Sequence, residues 1–423
     1  MKHLNRWAGT AFLIMSMTVQ TEAQLFYFGN ANDKVPDHAI VITPQSVLSQ
    51  QSEYGFTNHT NPQGARIFAV KLKEGNYRVT VRLGDPQSAT STTIKAEARR
   101  LMLYNVKTAP GEFVEKSFTV SVRRPEISGG SRVLLKPGED QSPSWDEYLW
   151  LEINGDRPGV KSVEIVPAES VTTIFLAGDS TVTDQGREPW GGWGQMLPRF
   201  FKSDVVVTNL AQSGLTLTSF ERQNRLKKIL SMMKPGDYVL IQFGHNDQKE
   251  KGENVGPFTS YKANLKRYVE QIREKGGKPV LVSSMERRRW EGGQPGRTLS
   301  DFAEAVRQTG TELNVPVIDL NEMSLQIYGA LGENGSARAF VHYPANTFPG
   351  QDQPLKDNSH HNNYGAYELA RAVVESIRRN IPDLASHLAE DVVPFDPAKP
   401  DSPDELIIPP SPFPPSVQKP EGN

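Results

Sequence analysis

Five apolar runs of buried-strand type, separated by helix-like stretches, set the tightest limit on how this chain folds. They span residues 172–177, 205–208, 238–243, 279–283 and 315–319. A strand that is apolar along its whole length needs cover on both faces, and crossover helices give that cover to parallel strands. Within 261–275, Leu265, Tyr268, Val269 and Ile272 recur at helical spacing. A last helix is predicted over 363–379, with Ala366, Leu369, Ala370, Val373, Val374 and Ile377 as its apolar stripe. Residues 169–391 are therefore read as one three-layer α/β/α domain around a parallel sheet.

The preceding residues have a different character. Residues 65–72 and 77–83 alternate with period two, with a turn signal at Glu74-Gly75-Asn76. Residues 118–122 and 162–166 are further strand candidates, and no long amphipathic helix interrupts them. Short strands with frequent turns predict an all-β sandwich, jelly-roll-like, over 24–168. After Asp391 the chain becomes proline-rich, and 392–423 is expected to be an extended, loosely held tail outside the core.

Composition excludes several classes. The 423 residues carry a net charge of -2, no footprint for nucleic acid or an anionic membrane surface. There is no cysteine, so disulfides, cysteine-rich zinc sites and a cysteine nucleophile are all absent. Lys2, His3 and Arg6 precede a short apolar stretch, and Thr21-Glu22-Ala23 offers a small-residue cleavage site. Residues 1–23 are accordingly read as a signal peptide, and the protein as secreted or periplasmic in a bacterium. No later run is long enough to span a bilayer.

Four polar blocks punctuate the α/β half. Gly178-Asp179-Ser180-Thr181 follows the first apolar run, where the carboxyl ends of parallel strands form a ligand crevice. Asn209 to Gly214 follows the second, and a glycine there lets a backbone N–H approach a ligand. Gly244-His245-Asn246-Asp247 follows the third, and the Asn246 amide is a neutral donor suited to a developing oxyanion. Asp357-Asn358-Ser359-His360 precedes the last helix. An imidazole can take a serine proton, and a carboxylate three residues away can fix its tautomer. His245 is read as structural, and His361 is the rival base. Each block alone also reads as an ordinary turn. Their joint order, each after a strand or before the final helix, is what singles them out. No serine lies in a Gly-x-Ser-x-Gly elbow.

The order of these blocks resembles that of the SGNH hydrolases, also called GDSL esterases. Residues 211–220, the Gly-His-Asn-Asp loop, Arg287-Arg288 and the Asp-x-Ser-His ending with Gly365-Ala366 are similar to rhamnogalacturonan acetylesterases. Ser359 departs from the threonine common in relatives. The resemblance covers about 172–380 and implies a flavodoxin-like sheet of strand order 2-1-3-4-5. It implies catalysis by Ser180, Asp357 and His360, with an oxyanion hole from Ser180, Gly214 and Asn246. It implies no metal and no cofactor. The expected substrate is an acetylated polysaccharide or oligosaccharide of the pectin type. Arg287 and Arg288 are candidates to pair with uronate carboxylates, and Trp190 and Trp193 to stack on sugar faces. Competing readings are an esterase for acetylated xylan, lipid or thioester, and a glycan-binding protein with a vestigial triad. The β-rich half is read as a carbohydrate-binding module, a spacer or a wall of the site.

Overall fold

The computed structural model describes residues 23–29, 34–49 and 51–421. The signal-peptide reading of 1–23 lies outside these residues except for Ala23. Among the described residues no helix is long and apolar enough to cross a membrane.

The first half forms two five-stranded sheets packed face to face. One runs Ile40–Ile42, Gln24–Phe28, Val160–Pro167, Gly75–Gly84, Phe113–Val122. The other runs Tyr54–Thr60, Arg66–Lys71, Tyr148–Arg157, Thr90–Ala96, Arg100–Thr108. Alternation along each strand sends one row of side chains inward. Phe26, Val79, Val120 and Ile165 from one sheet meet Phe68 and Leu149 from the other in a single buried cluster. The strands flanking Glu74-Gly75-Asn76 do not pair with each other: the chain crosses there from one sheet to the other.

The second half is built on a five-stranded parallel sheet. Its strands are β1 (Thr172–Gly178), β2 (Val205–Asn209), β3 (Tyr238–Gln242), β4 (Lys278–Val282) and β5 (Val317–Ile318). Their order is 2-1-3-4-5, with every pairing parallel. Two apolar layers lie on opposite faces. One gathers Leu176, Leu240, Val282, Ala370, Val373 and Ile377, the other Phe175, Val239, Leu265, Val269 and Ile272. The helix Lys262–Glu274 buries Leu265, Tyr268, Val269 and Ile272, as their spacing requires. The last long helix, Asn363–Asn380, is capped by the Asn362 side chain, which accepts from the Gly365 N–H.

Ion pairs join the two halves. The Arg100 guanidinium donates to the Asp184 carboxylate at 2.6 Å, with both groups buried. Arg225 donates to Glu139 at 2.5 Å, and Lys228 to Glu74 at 2.5 Å.

The proline-rich segment does not hang free, contrary to its sequence reading. Phe395, Leu406 and Ile408 are buried in the α/β core. Proline has no N–H to give, yet its carbonyl still accepts. Lys95 donates to Pro409 O, Asn61 to Pro410 O and Arg187 to Pro414 O. The segment is strapped down by donors from both halves.

Breaking a buried pair leaves an uncompensated charge in a dry interior. Asp184→Ala is expected to destabilise the chain by about 3–5 kcal/mol through the stranded Arg100, measured by denaturant unfolding at neutral pH.

Candidate functional site

Ser180 sits where β1 ends. The chain turns sharply there, with Val182 N–H donating to Asp179 O at 3.1 Å. Gly178 is required: a Cβ there would come within 2.5 Å of the Val182 side chain. Asp179 Oδ1 accepts from the Thr181 N–H and hydroxyl, and Gln185 Nε2 donates to Ser180 O at 2.7 Å. The Ser180 turn is thus held by the side chains of Asp179, Thr181 and Gln185.

Asp357 and His360 lie on a short strand, Leu355–His361, paired antiparallel with Phe340–Tyr343. The pair therefore sits in a strand rather than in an open loop before the helix. The register explains why a strand serves as well: Val341 faces Asp357 and its neighbour Phe340 faces His361, so 358–360 bulge out of the ladder. The Asp357 carboxylate fills the bulge. Its Oδ1 accepts from the Ser359 N–H at 2.8 Å and the His360 N–H at 3.0 Å. Its Oδ2 accepts from His360 Nδ1 at 2.8 Å. His360 Nε2 lies 2.9 Å from Ser180 Oγ. Serine, imidazole and carboxylate form one continuous line, and Ser180 is only 2% exposed.

Electrostatics follow this geometry. Burial alone would raise the Asp357 carboxyl, but the hydrogen bond and charge of His360 and two backbone N–H groups pull it well below the usual carboxylate range. His361, the rival base, is elsewhere engaged: its Nε2 is 2.8 Å from the Tyr328 hydroxyl and its ring packs on Phe340. Burial above all, with the His245 and His360 rings close by, pushes it down to about 3. His245 is buried with Nδ1 3.5 Å from Asp179 Oδ2, facing the nucleophile turn from behind.

The loops of Gly214 and Asn246 meet each other, and Gln185 Nε2 links the first of them to Ser180, reaching both Ser180 O and Ser213 Oγ. Gly214 takes φ +76°, the left-handed region that favours glycine. Asn246 Nδ2 donates at 3.1 Å to the carbonyl of Leu215, which follows Gly214 directly. Asp247 braces both loops, accepting from Leu217 N–H and Gly244 N–H at 3.0 Å each.

The substrate-contact candidates fare differently. Trp193 is 1% exposed in the core and donates to Gln242, so it offers no face to a sugar. Trp190 is also buried. Its ring meets His360 edge-on at 5.7 Å and its Nε1 donates to Ser416 O, so it packs the base rather than a ligand. Arg287 borders the site, donating to Ser359 Oγ at 3.0 Å and His245 O at 3.2 Å. Arg288 turns away toward Ser336 and Glu333 O.

Arg99 of the β half was not among the candidates. Fully buried, it donates to Gln185 O, Trp190 O, Glu188 and Asn363, at 2.8–3.0 Å. It holds the loop that carries Trp190. Its sequence signal was only a charged cluster, Glu97-Ala98-Arg99-Arg100, inside a strand-rich stretch. Among the described residues no group of three or more His, Asp or Glu side chains is placed to hold a metal ion.

Known proteins resemble this chain over its second half. Residues 176–365 match the GDSL-like Lipase/Acylhydrolase family. Over 218 residues the chain is 40% identical to rhamnogalacturonan acetylesterase RhgT of Bacillus subtilis (strain 168), covering 51% of this chain and 93% of RhgT. This chain belongs to the GDSL family. A second relative, the probable rhamnogalacturonan acetylesterase YesY of the same strain, is 34% identical over 223 residues, 52% of this chain and 97% of YesY. Among solved structures, Bacillus subtilis YxiM aligns with a TM-score of 0.45 at 22% identity, covering 85% of this chain and 98% of that one.

A carboxyl whose folded pKa is depressed stabilises the fold above its unfolded value, near 4, and that stability is lost as pH falls toward the folded value. Asp357→Asn removes this term. Its unfolding free energy is expected to fall less steeply than wild type below about pH 4, as measured by denaturant titration at several pH values.

Proposed function

We propose that this GDSL esterase removes acetyl groups from acetylated rhamnogalacturonan by way of an acyl-serine. The observation that carries the reading is the unbroken hydrogen-bonded line from Ser180 Oγ through His360 to Asp357. Ser180 Oγ attacks the ester carbonyl carbon while His360 Nε2 takes its proton. Asp357 holds the imidazole in the tautomer that leaves Nε2 free to accept, and stabilises the imidazolium that forms. The backbone N–H groups of Ser180 and Gly214 and the Asn246 amide receive the oxyanion. On collapse, the carbon–oxygen bond to the sugar breaks, and His360 returns its proton to the departing hydroxyl. Water, deprotonated by the same imidazole, then attacks the acetyl-serine and releases acetate. No step calls on a metal or a cofactor.

The choice of pectin draws on the names of RhgT and YesY and on Arg287 at the edge of the site. The alternative of acetylated xylan shares the same chemistry. The four bonds made by Arg99 favour the β half as a wall of the site over a detachable binding module. The basic, then apolar start of the sequence supports export to a bacterial periplasm or exterior.

Acetate release from acetylated rhamnogalacturonan is expected to exceed that from acetylated xylan; the reverse order rejects the pectin reading. Loss of one oxyanion donor typically costs about 3 kcal/mol of barrier. Asn246→Ala should therefore lower kcat by roughly a hundredfold, and near-normal turnover on 4-nitrophenyl acetate would remove Asn246 from the oxyanion hole.

A further inference from the structure

The strapped segment continues past its prolines across the mouth of the active site. Ser411 Oγ donates to Glu152 at 2.7 Å, Ser416 N–H donates to Glu188 O, and Ser416 O accepts from Trp190. At the far side Glu421 pairs with Lys136 at 2.6 Å, and Lys136 in turn donates to Ser213 O. A Cβ on Gly214 would lie 3.2 Å from Glu421. Between these anchors Lys419 reaches Asp357, with Nζ 3.5 Å from Oδ2 and the side chain 46% exposed.

Two more cations stand at the same mouth. Lys249 donates to Asn246 Oδ1 at 3.2 Å, and Arg287 to His245 O and Ser359 Oγ. Among the described residues neither has a carboxylate in ion-pair contact, although most buried or half-buried cations of this chain do. Burial, then the charges of Arg287 and Lys419, hold the Lys249 ammonium below its usual pKa against the opposing pull of Asp179. Lys249 thus feels the positive charge of both Arg287 and Lys419. The acids that act on these cations are Asp179, Glu286 and Asp357, and only Lys419 is in ion-pair contact with one, at 3.5 Å; Lys249 and Arg287 keep their charge for a ligand.

We propose that Lys249, Arg287 and Lys419 form a subsite for a carboxylate of the substrate, the acid group of a uronate unit at or next to the acetylated sugar, and that the proline-rich segment exists in part to bring Lys419 there. The planar Arg287 fork supplies direction, and the two ammonium groups supply charge. The inference rests on the uronate-polymer reading above.

The test compares wild type, Lys419→Ala and Lys419→Arg on an acetylated galacturonate-containing oligosaccharide and on neutral 4-nitrophenyl acetate. The readout is the ratio of the two kcat/KM values. Lys419→Ala is expected to lower that ratio about tenfold at low salt, through KM on the acidic substrate. Lys419→Arg should restore it, and added salt should bring wild type toward the alanine variant. An unchanged ratio in Lys419→Ala overturns the subsite. So does an equal rise on both substrates, which would make the segment a cover over Ser180. A wild type that prefers xylan to rhamnogalacturonan overturns the uronate reading itself. A wild type that prefers rhamnogalacturonan, with the ratio unchanged in Lys419→Ala, removes the subsite alone.

Discussion

Everything at the candidate site turns on where the His360 imidazole is held. Its Nδ1 is tied to Asp357 at 2.8 Å and its Nε2 stands 2.9 Å from Ser180. Neither partner could hold it alone, because a ring on a single bond still rotates. Asp357 fixes the ring and its own backbone together, since its second oxygen accepts from the amides of Ser359 and His360. Trp190 closes the remaining side edge-on. The bulge of 358–360 is therefore a device: it frees the amides that the carboxylate needs, and aims the ring across to β1.

The sheet supplies the other half of this constraint. β1 lies between β2 and β3, so its end is flanked on both sides at the carboxyl edge. The loops after its two neighbours flank Ser180, one bringing Gly214 and the other Asn246. A strand order with β1 at the edge would leave the serine with a single flanking loop. Three polar blocks far apart in sequence meet because three apolar strands lie side by side.

That much was legible in the residues. The five strands announce themselves as apolar runs because burial on both faces removes the polar alternation. The helix Lys262–Glu274 shows its buried stripe at the expected spacing. The motif residues cluster because each must follow a strand end. Trp190 and Trp193 misled, because an indole near a catalytic serine reads equally as sugar platform or as packing; burial decided for packing. The proline-rich segment misled for a related reason. Its composition speaks of a chain that cannot enter a sheet, but its carbonyls remain free to accept, and Lys95, Asn61 and Arg187 use them. Lys249, Lys419 and Arg99 carry no local pattern. Their meaning lies in contacts with residues that are distant along the chain.

RhgT is matched over 93% of its length by half of this chain, so it has no counterpart for most of the other half. Here, the loop that carries Trp190 is gripped from outside by Arg99, whose guanidinium finds acceptors only across the boundary. A hinge at that boundary would tear four bonds at once and release the ring that backs the base. The two halves are therefore bound to melt and refold as one cooperative unit. A protease that clipped between them would yield not a smaller enzyme but a scaffold missing its keystone.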